Sequence, residues 1–361
     1  MEKKFIGYRK KNKEEIKELW KKAYFTFDTN TLLSLYRYSQ NTRTSLIDLI
    51  TKLEQRVFLT NHVAYEFSKN RLENINDIIR NNKDFLKELD KIKNNIISSN
   101  SSPYLSNNLT TKFTGIIDEI NSEVNEKISL YEKYFNSDIL YELLNIVFKD
   151  KILEGFGSTK ISEIAKEGDI RYSKKIPPGF ADAKKEDNKY GDLIIWKEII
   201  EFSKKHNVPV IFITDDNKED WIWKLKDGKI IGARPELIQE FLTETNNNFH
   251  IYNSNRFIEI GSEYFDKEVT KETIEEILKV NNETRLSEYF EYLKALQIEE
   301  LENRLKILSP KEADFLRLNL GSNGKIPLST KEISEVFDIE LQEAIRLRSQ
   351  AIRKLRDSHK I

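Results

Sequence analysis

At Asp28 an aspartate follows an apolar run directly, where "YFTF" gives way to "DTNTLL". Glu66 comes one turn into the helical stretch after "RVFLT", Asp192 opens "DLIIWKEIIEFSKKH", and Asp215 and Asp216 follow "VPVIFIT". In a parallel α/β sheet such positions gather outside the carboxyl ends of the strands, where ligands usually bind. Carboxylates crowded together repel and raise each other's pKa unless a cation neutralises them. Oxygen donors select hard ions, so Mg²⁺ or Mn²⁺ is the expected cofactor. Two such ions can activate a water and stabilise a leaving oxygen, which is the chemistry of phosphodiester hydrolysis.

Taken singly, each residue has a plainer reading. Asp28 and Asp192 also suit helix N-caps, Glu66 suits a solvated helix, and Thr214-Asp215-Asp216 suits an ordinary turn. The set, with apolar strands aimed at three of its members, favours a site. A phosphatase using Asp-x-Asp would need a second carboxylate as acid/base beside the nucleophile; here that place is Asn30. The undecided acids Asp182 and Asp187 read as loop surface, and Asp220 as a cap or a supporting group. Lys184, Lys185, Lys189, Lys69 and Arg71 either attract phosphates or form a solvated surface. Trp196, Trp221 and Trp223 read as core.

The elements that must position these residues follow from periodicity. "YFTF", "RVFLT" (56–60), "VPVIFIT" (208–214) and "NFHIYN" read as strands, the third as one covered on both faces and the last as an edge. Helical patterns alternate with them, which argues an α/β domain with a mostly parallel sheet. A long helical pattern runs from Asn61 to about Ile97, breaks at "SSNSSPYLSN", and returns to about Phe135. This predicts an antiparallel helical hairpin inserted into the domain. "KKIPPGFADAKKEDNKY" is a loop, because Pro-Pro-Gly cannot continue a helix. Hydrophobic residues are 39%, charged residues 33% and the formal net charge is -1, so overall charge neither favours nor excludes a polyanionic partner. No cysteine is present and the four histidines are scattered, which excludes thiolate metal sites and argues against zinc. The N-terminus has no signal-like apolar stretch, so a cytoplasmic location and no membrane partner are expected.

With these residues in view, the chain resembles the PIN domain superfamily of metal-dependent nucleases. The carriers are "FDTNTLL", "TNHVAYEFSKNR", "YGDLIIWKEI" and "ITDDNKEDW". "KKIPPGFADAKKEDNKYGDLIIWKEII", "FITDDNKEDWIW" and "ARPELIQEF" resemble more closely the bacterial PIN-like domain family with a helical insertion, over roughly residues 23 to 260. The resemblance implies a three-layer α/β domain (1–263, with the insertion at about 67–136) and a metal held by Asp28, Glu66, Asp192 and Asp216. Asp215 is the alternative fourth ligand, and Thr214 or Asn30 could orient a water or a carboxylate. It also implies a nuclease cutting RNA or DNA, of the kind often used as a toxic effector in toxin–antitoxin or phage-defence systems.

Residues 264–307 read as a helical connector, and 308–361 as a separate all-α module. "SPKEADFLRLNL" carries a capping box at Ser309 and Glu312, with Pro310 at the first helical position. "STKEISEVFDI" and "LQEAIRLRSQAIRKLRD" form a short helix, a turn and a basic helix. That is a helix-turn-helix order, in which Arg346, Arg348, Arg353, Lys354 and Arg356 would meet phosphates. The segment resembles region 4 of the housekeeping sigma factors, except that Phe337-Asp338-Ile339 stands where a glycine turn is expected. A DNA contact, a protein partner or a homodimer through these helices all remain open. The competing function is a non-enzymatic DNA-binding regulator built on a PIN-like scaffold.

Overall fold

The computed structural model describes residues 5–97, 105–185, 188–225, 229–294, 296, 298–321 and 327–359. The chain divides into two compact units, Met1–Tyr24 with Phe156–Ile361, and Phe25–Gly155. Helix α1 (Lys13–Lys22) starts in a capping box in which Asn12 and Glu15 satisfy each other's backbone amides. Strand β1 (Tyr24–Phe27) carries the chain out of the first unit.

In the second unit, α2 (Thr29–Ser34) begins directly behind Asp28, and α3 (Gln40–Lys52) follows with Ser39 as its cap. Helices α4 (Asn61–Ile97) and α5 (Asn107–Lys133) are the long pair read from the periodicity. They run antiparallel, because Lys83 pairs with Glu132 at 2.8 Å and Lys93 with Asp118 at 2.5 Å. The turn between them lies mostly outside the described residues. Helix α6 (Ile139–Val147) starts at Asp138, which also takes the Tyr36 hydroxyl at 2.6 Å and the Arg71 guanidinium. Arg71 is thereby committed to the interior, stacked over Tyr141, and does not face a phosphate. "RVFLT" forms less strand than its apolar run predicts: Glu54–Arg56 is a 3-10 turn, and only single parallel bridges tie Val57 to Phe25 and Leu59 to Ile152.

In the first unit, α7 (Ser158–Ser173) and α8 (Gly191–His206) lead to β2 (Val210–Ile213), buried on both faces as its unbroken apolar run requires. Asn207 ends α8 in the left-handed conformation, φ 52°, the tolerated alternative to glycine at that place. Two short strands absent from the sequence expectation follow, β3 (Ile222–Lys224) and β4 (Ile230–Ala233), paired antiparallel. Helix α9 (Pro235–Thr245) then crosses to β5 (Phe249–Tyr252), which pairs in parallel with β2. Tyr24, the residue of β1 that belongs to this unit, donates its amide to Pro209 at 2.9 Å, giving the order β1-β2-β5. Trp196 and Trp221 fill this core, and Trp196 donates to Glu240 at 3.1 Å.

Helices α10 (Ser254–Tyr264), α11 (Lys271–Lys294), α12 (Ile298–Leu305), α13 (Pro310–Leu320), α14 (Thr330–Val336) and α15 (Leu341–His359) complete the chain. One core joins the end of α11, at Phe290 and Leu293, with α12 and with Phe315, Ile333, Ala351 and Leu355 of the last three helices. Asp338 supplies the left-handed turn, φ 49°, that a glycine would otherwise make between α14 and α15. Among the described residues no helix is long and apolar enough to cross a membrane.

Candidate active site

The acids of the first unit converge on an ammonium. The Lys218 Nζ stands 2.9 Å from Asp216 Oδ2, 3.0 Å from Asp182 Oδ2 and 3.8 Å from Asp192 Oδ2. Each is placed by a local device. Thr214 Oγ1 accepts the Asp216 amide at 3.0 Å, and Asp216 Oδ1 accepts the Lys218 amide at 2.8 Å. These two successive side-chain turns fold the chain sharply just after β2. Asp192 lies in the first turn of α8, where the helix N-terminus favours negative charge. Asp182 comes from the 3-10 turn Phe180–Asp182 and also binds Lys185 at 2.8 Å.

Asp220 anchors that turn. It is fully buried, and its Oδ2 accepts the amides of Gly179 at 2.8 Å and Ala181 at 3.1 Å. Gly179 makes this possible with φ 92°, and a Cβ there would collide with the Tyr172 ring and hydroxyl. Gly179→Ala is therefore expected to cost about 2–3 kcal/mol in urea unfolding, from the left-handed backbone plus the overpacking. A wild-type-like midpoint would show that the turn relaxes freely.

The electrostatics follow from this crowding. Burial pushes the Asp192 carboxyl well above the usual range; the neighbouring Asp182, Asp220 and Asp216 add to this while Lys218 opposes it. Burial, then Asp216, raises Asp220 to about 6. Burial alone would lower Lys218, but Asp216, Asp192, Asp182 and Asp220 outweigh it and hold the ammonium charged. Two oxygens, Asp192 Oδ2 and Asp220 Oδ1, are buried with no hydrogen-bond partner among the described residues. Among those residues no three acidic or histidine side chains meet in a metal-holding group; in this unit the acids meet an ammonium.

Asp215 points elsewhere. Its carboxylate accepts the Ser254 amide at 2.9 Å, the Ser254 hydroxyl, and Asn281 Nδ2 at 2.7 Å, which ties the end of β2 to α10 and α11. In the second unit, Asp28 caps α2 by accepting the Thr29 amide at 2.7 Å. The Thr29 hydroxyl donates to Glu66 Oε2, also at 2.7 Å, so this one residue connects both acids. His62, one turn before Glu66, stands 3.6 Å from Glu66 Oε1.

The sequence reading missed Lys218 and placed Asp182 on the loop surface, whereas Asp182 is nearly buried against Lys218. The alternation Asp216-x-Lys218-x-Asp220 was the available signal. Asp187 lies outside the described residues. Lys184 pairs with Glu300 and Lys189 with Asp169, both at 2.8 Å, while Lys69 is exposed. Of the basic residues on α15, Arg348 stacks on Phe290 and donates to Asn319, Lys354 pairs with Glu312, and Arg356 pairs with Asp357. Arg346 and Arg353 are exposed.

A family model described as PIN like domain matches residues 24–237, more than half of the chain, and the chain belongs to that family. PIN-like domains are generally nucleases, so membership supports, at a coarse level, a hydrolase with a nucleic-acid substrate. No curated protein and no solved structure matches the chain.

Proposed function

We propose that this chain is a divalent-metal-dependent nuclease that hydrolyses phosphodiester bonds of RNA or DNA. The observation that supports it most is the surplus of carboxylate at Lys218: Asp182, Asp192 and Asp216, each only partly exposed, share one ammonium, and the Asp192 Oδ2 atom is buried without a hydrogen-bond partner among the described residues. Crowding partly desolvated carboxylates around too little positive charge is costly, and a scaffold has no use for it. Hard oxygen donors of this kind fit Mg²⁺ or Mn²⁺. When bound, such an ion supplies Lewis-acid polarisation of the phosphate and activation of water.

Within the first unit the proposed ligands are Asp192 and Asp216; Asp28 and Glu66, in the second unit, are proposed as ligands on the family resemblance alone. Asp215 leaves the set, because Ser254 and Asn281 already use its carboxylate. Thr214 holds the Asp216 turn, and Thr29 orients Glu66. A role as a toxic effector rests on the family resemblance alone.

The test is incubation of purified protein with labelled single- and double-stranded RNA and DNA, in Mg²⁺, Mn²⁺ or chelator. Cleavage that requires the metal is expected. Asp28→Asn, which keeps the helix cap, is expected to lose at least about a hundredfold in rate. Equal cleavage by the two proteins, or full cleavage in chelator, overturns the assignment.

A further inference from the structure

Lys218 has a place in this unit that neither packing nor capping accounts for. Its backbone amide is fixed by Asp216 Oδ1, and its Nζ reaches back among the carboxylates of Asp216, Asp182 and Asp192. The side chain keeps 28% of its surface exposed, so it has a route to solvent that does not require the backbone to move. A lysine is a point charge on a flexible four-carbon stem with three donors, suited to both occupying and vacating such a position.

A single positive charge satisfies the cluster only in part. The ammonium bonds Asp216 and Asp182, but at 3.8 Å it is beyond hydrogen-bond distance of Asp192 Oδ2. Asp220 Oδ1, on a side chain with no exposed surface, has no partner among the described residues. Lys185 assists only Asp182. A divalent cation carries twice the charge and takes six or more oxygens.

We propose that Lys218 is an internal counter-cation: it neutralises the acid cluster in the resting protein and is displaced when a divalent ion binds. This rests on the nuclease reading above and adds a competitor to it. The metal must exchange with an ammonium rather than enter a vacant site, so its apparent affinity is set by Lys218 as well as by the ligands. Removing the ammonium weakens the metal-free state and tightens metal binding together, two effects that a merely structural lysine would not couple.

The experiment is thermal unfolding of the full chain in chelator and across a calcium titration, which reads binding without turnover. Wild type, Lys218→Met, Lys218→Arg and Asp192→Asn are compared. Lys218→Met is expected to melt below wild type in chelator and to regain stability in calcium. Its half-saturating calcium should be on the order of tenfold lower, since one nearby positive charge has been removed. Lys218→Arg keeps the charge in a rigid fork that grips carboxylates bidentately, so it should need several-fold more calcium than wild type; this arm stands even if the methionine variant fails to fold. Equal calcium midpoints in wild type and the Lys218 variants overturn the proposal while leaving the nuclease reading intact. No calcium response in wild type, with Asp192→Asn indistinguishable from it, removes the metal site itself and this inference with it.

Discussion

Asp192→Asn is expected to lower metal-dependent cleavage about a thousandfold while making the chelator-treated protein more stable. The loss follows from removing a proposed ligand, in the range measured when one preorganised catalytic group is deleted. The gain follows from burial. The Asp192 carboxyl is desolvated, lies near Asp182, Asp220 and Asp216, and has one oxygen without a hydrogen bond among the described residues. Its pKa in the folded protein is raised, so the folded state binds that proton more tightly than the unfolded chain does. Its stabilising contribution is therefore complete at low pH, and it is lost as pH rises from the ordinary aspartate range towards the raised value. At neutral pH the wild-type side chain works against folding; the neutral amide does not. A rise of about 2–4 °C in melting temperature corresponds to about 1 kcal/mol for a unit of this size. The gap should be wider at pH 8 than at pH 5, which melting curves in chelator at both values will show. Full activity together with destabilisation at both pH values would sink the assignment.

Opposite effects on activity and stability mark a group retained for chemistry, and this bears on what the sequence could disclose. Strand β2 was legible because its apolar run is short, rich in β-branched residues and closed by a Thr-Asp-Asp turn, which favours a covered strand over a helix. The α4/α5 pair was legible because helical periodicity persists over many turns. The places of Asp192 and Asp216, at a helix start and after a strand end, were legible because those element boundaries show in the sequence. Lys218, Asp182 and Asp220 were not, since a loop has no period. What gathers them is a left-handed glycine at 179 and two side-chain turns after β2, features that act through backbone angles. "RVFLT" misled in the other direction: an apolar run of strand composition is held by one bridge to each of two distant segments, at Phe25 and Ile152, and neither extends into a ladder. On α15 the basic residues count as a phosphate-binding face in the sequence, yet Arg348, Lys354 and Arg356 have partners within the module. Charge composition alone cannot tell a residue that faces solvent from one paired at home.

The neighbours Asp215 and Asp216 separate by the same logic, and here the larger stability change is expected. Asp215→Ala should cost about 3–5 kcal/mol, because it leaves three donors without their buried acceptor: the Ser254 amide, the Ser254 hydroxyl and Asn281 Nδ2. Asn281 is 3% exposed, on α11, so water cannot readily replace the lost carboxylate. Asp216→Ala removes a carboxylate that shares its ammonium with two others, and it relieves repulsion as it breaks a pair. Its stability should fall by about 1 kcal/mol or less in urea unfolding, within the usual range for a partly exposed pair, while its calcium response disappears. Asp215→Ala, measured under conditions where it remains folded, should still bind calcium. If instead Asp215→Ala unfolds like wild type and Asp216→Ala collapses, the two carboxylates exchange roles, and the loop after β2 must face the other way.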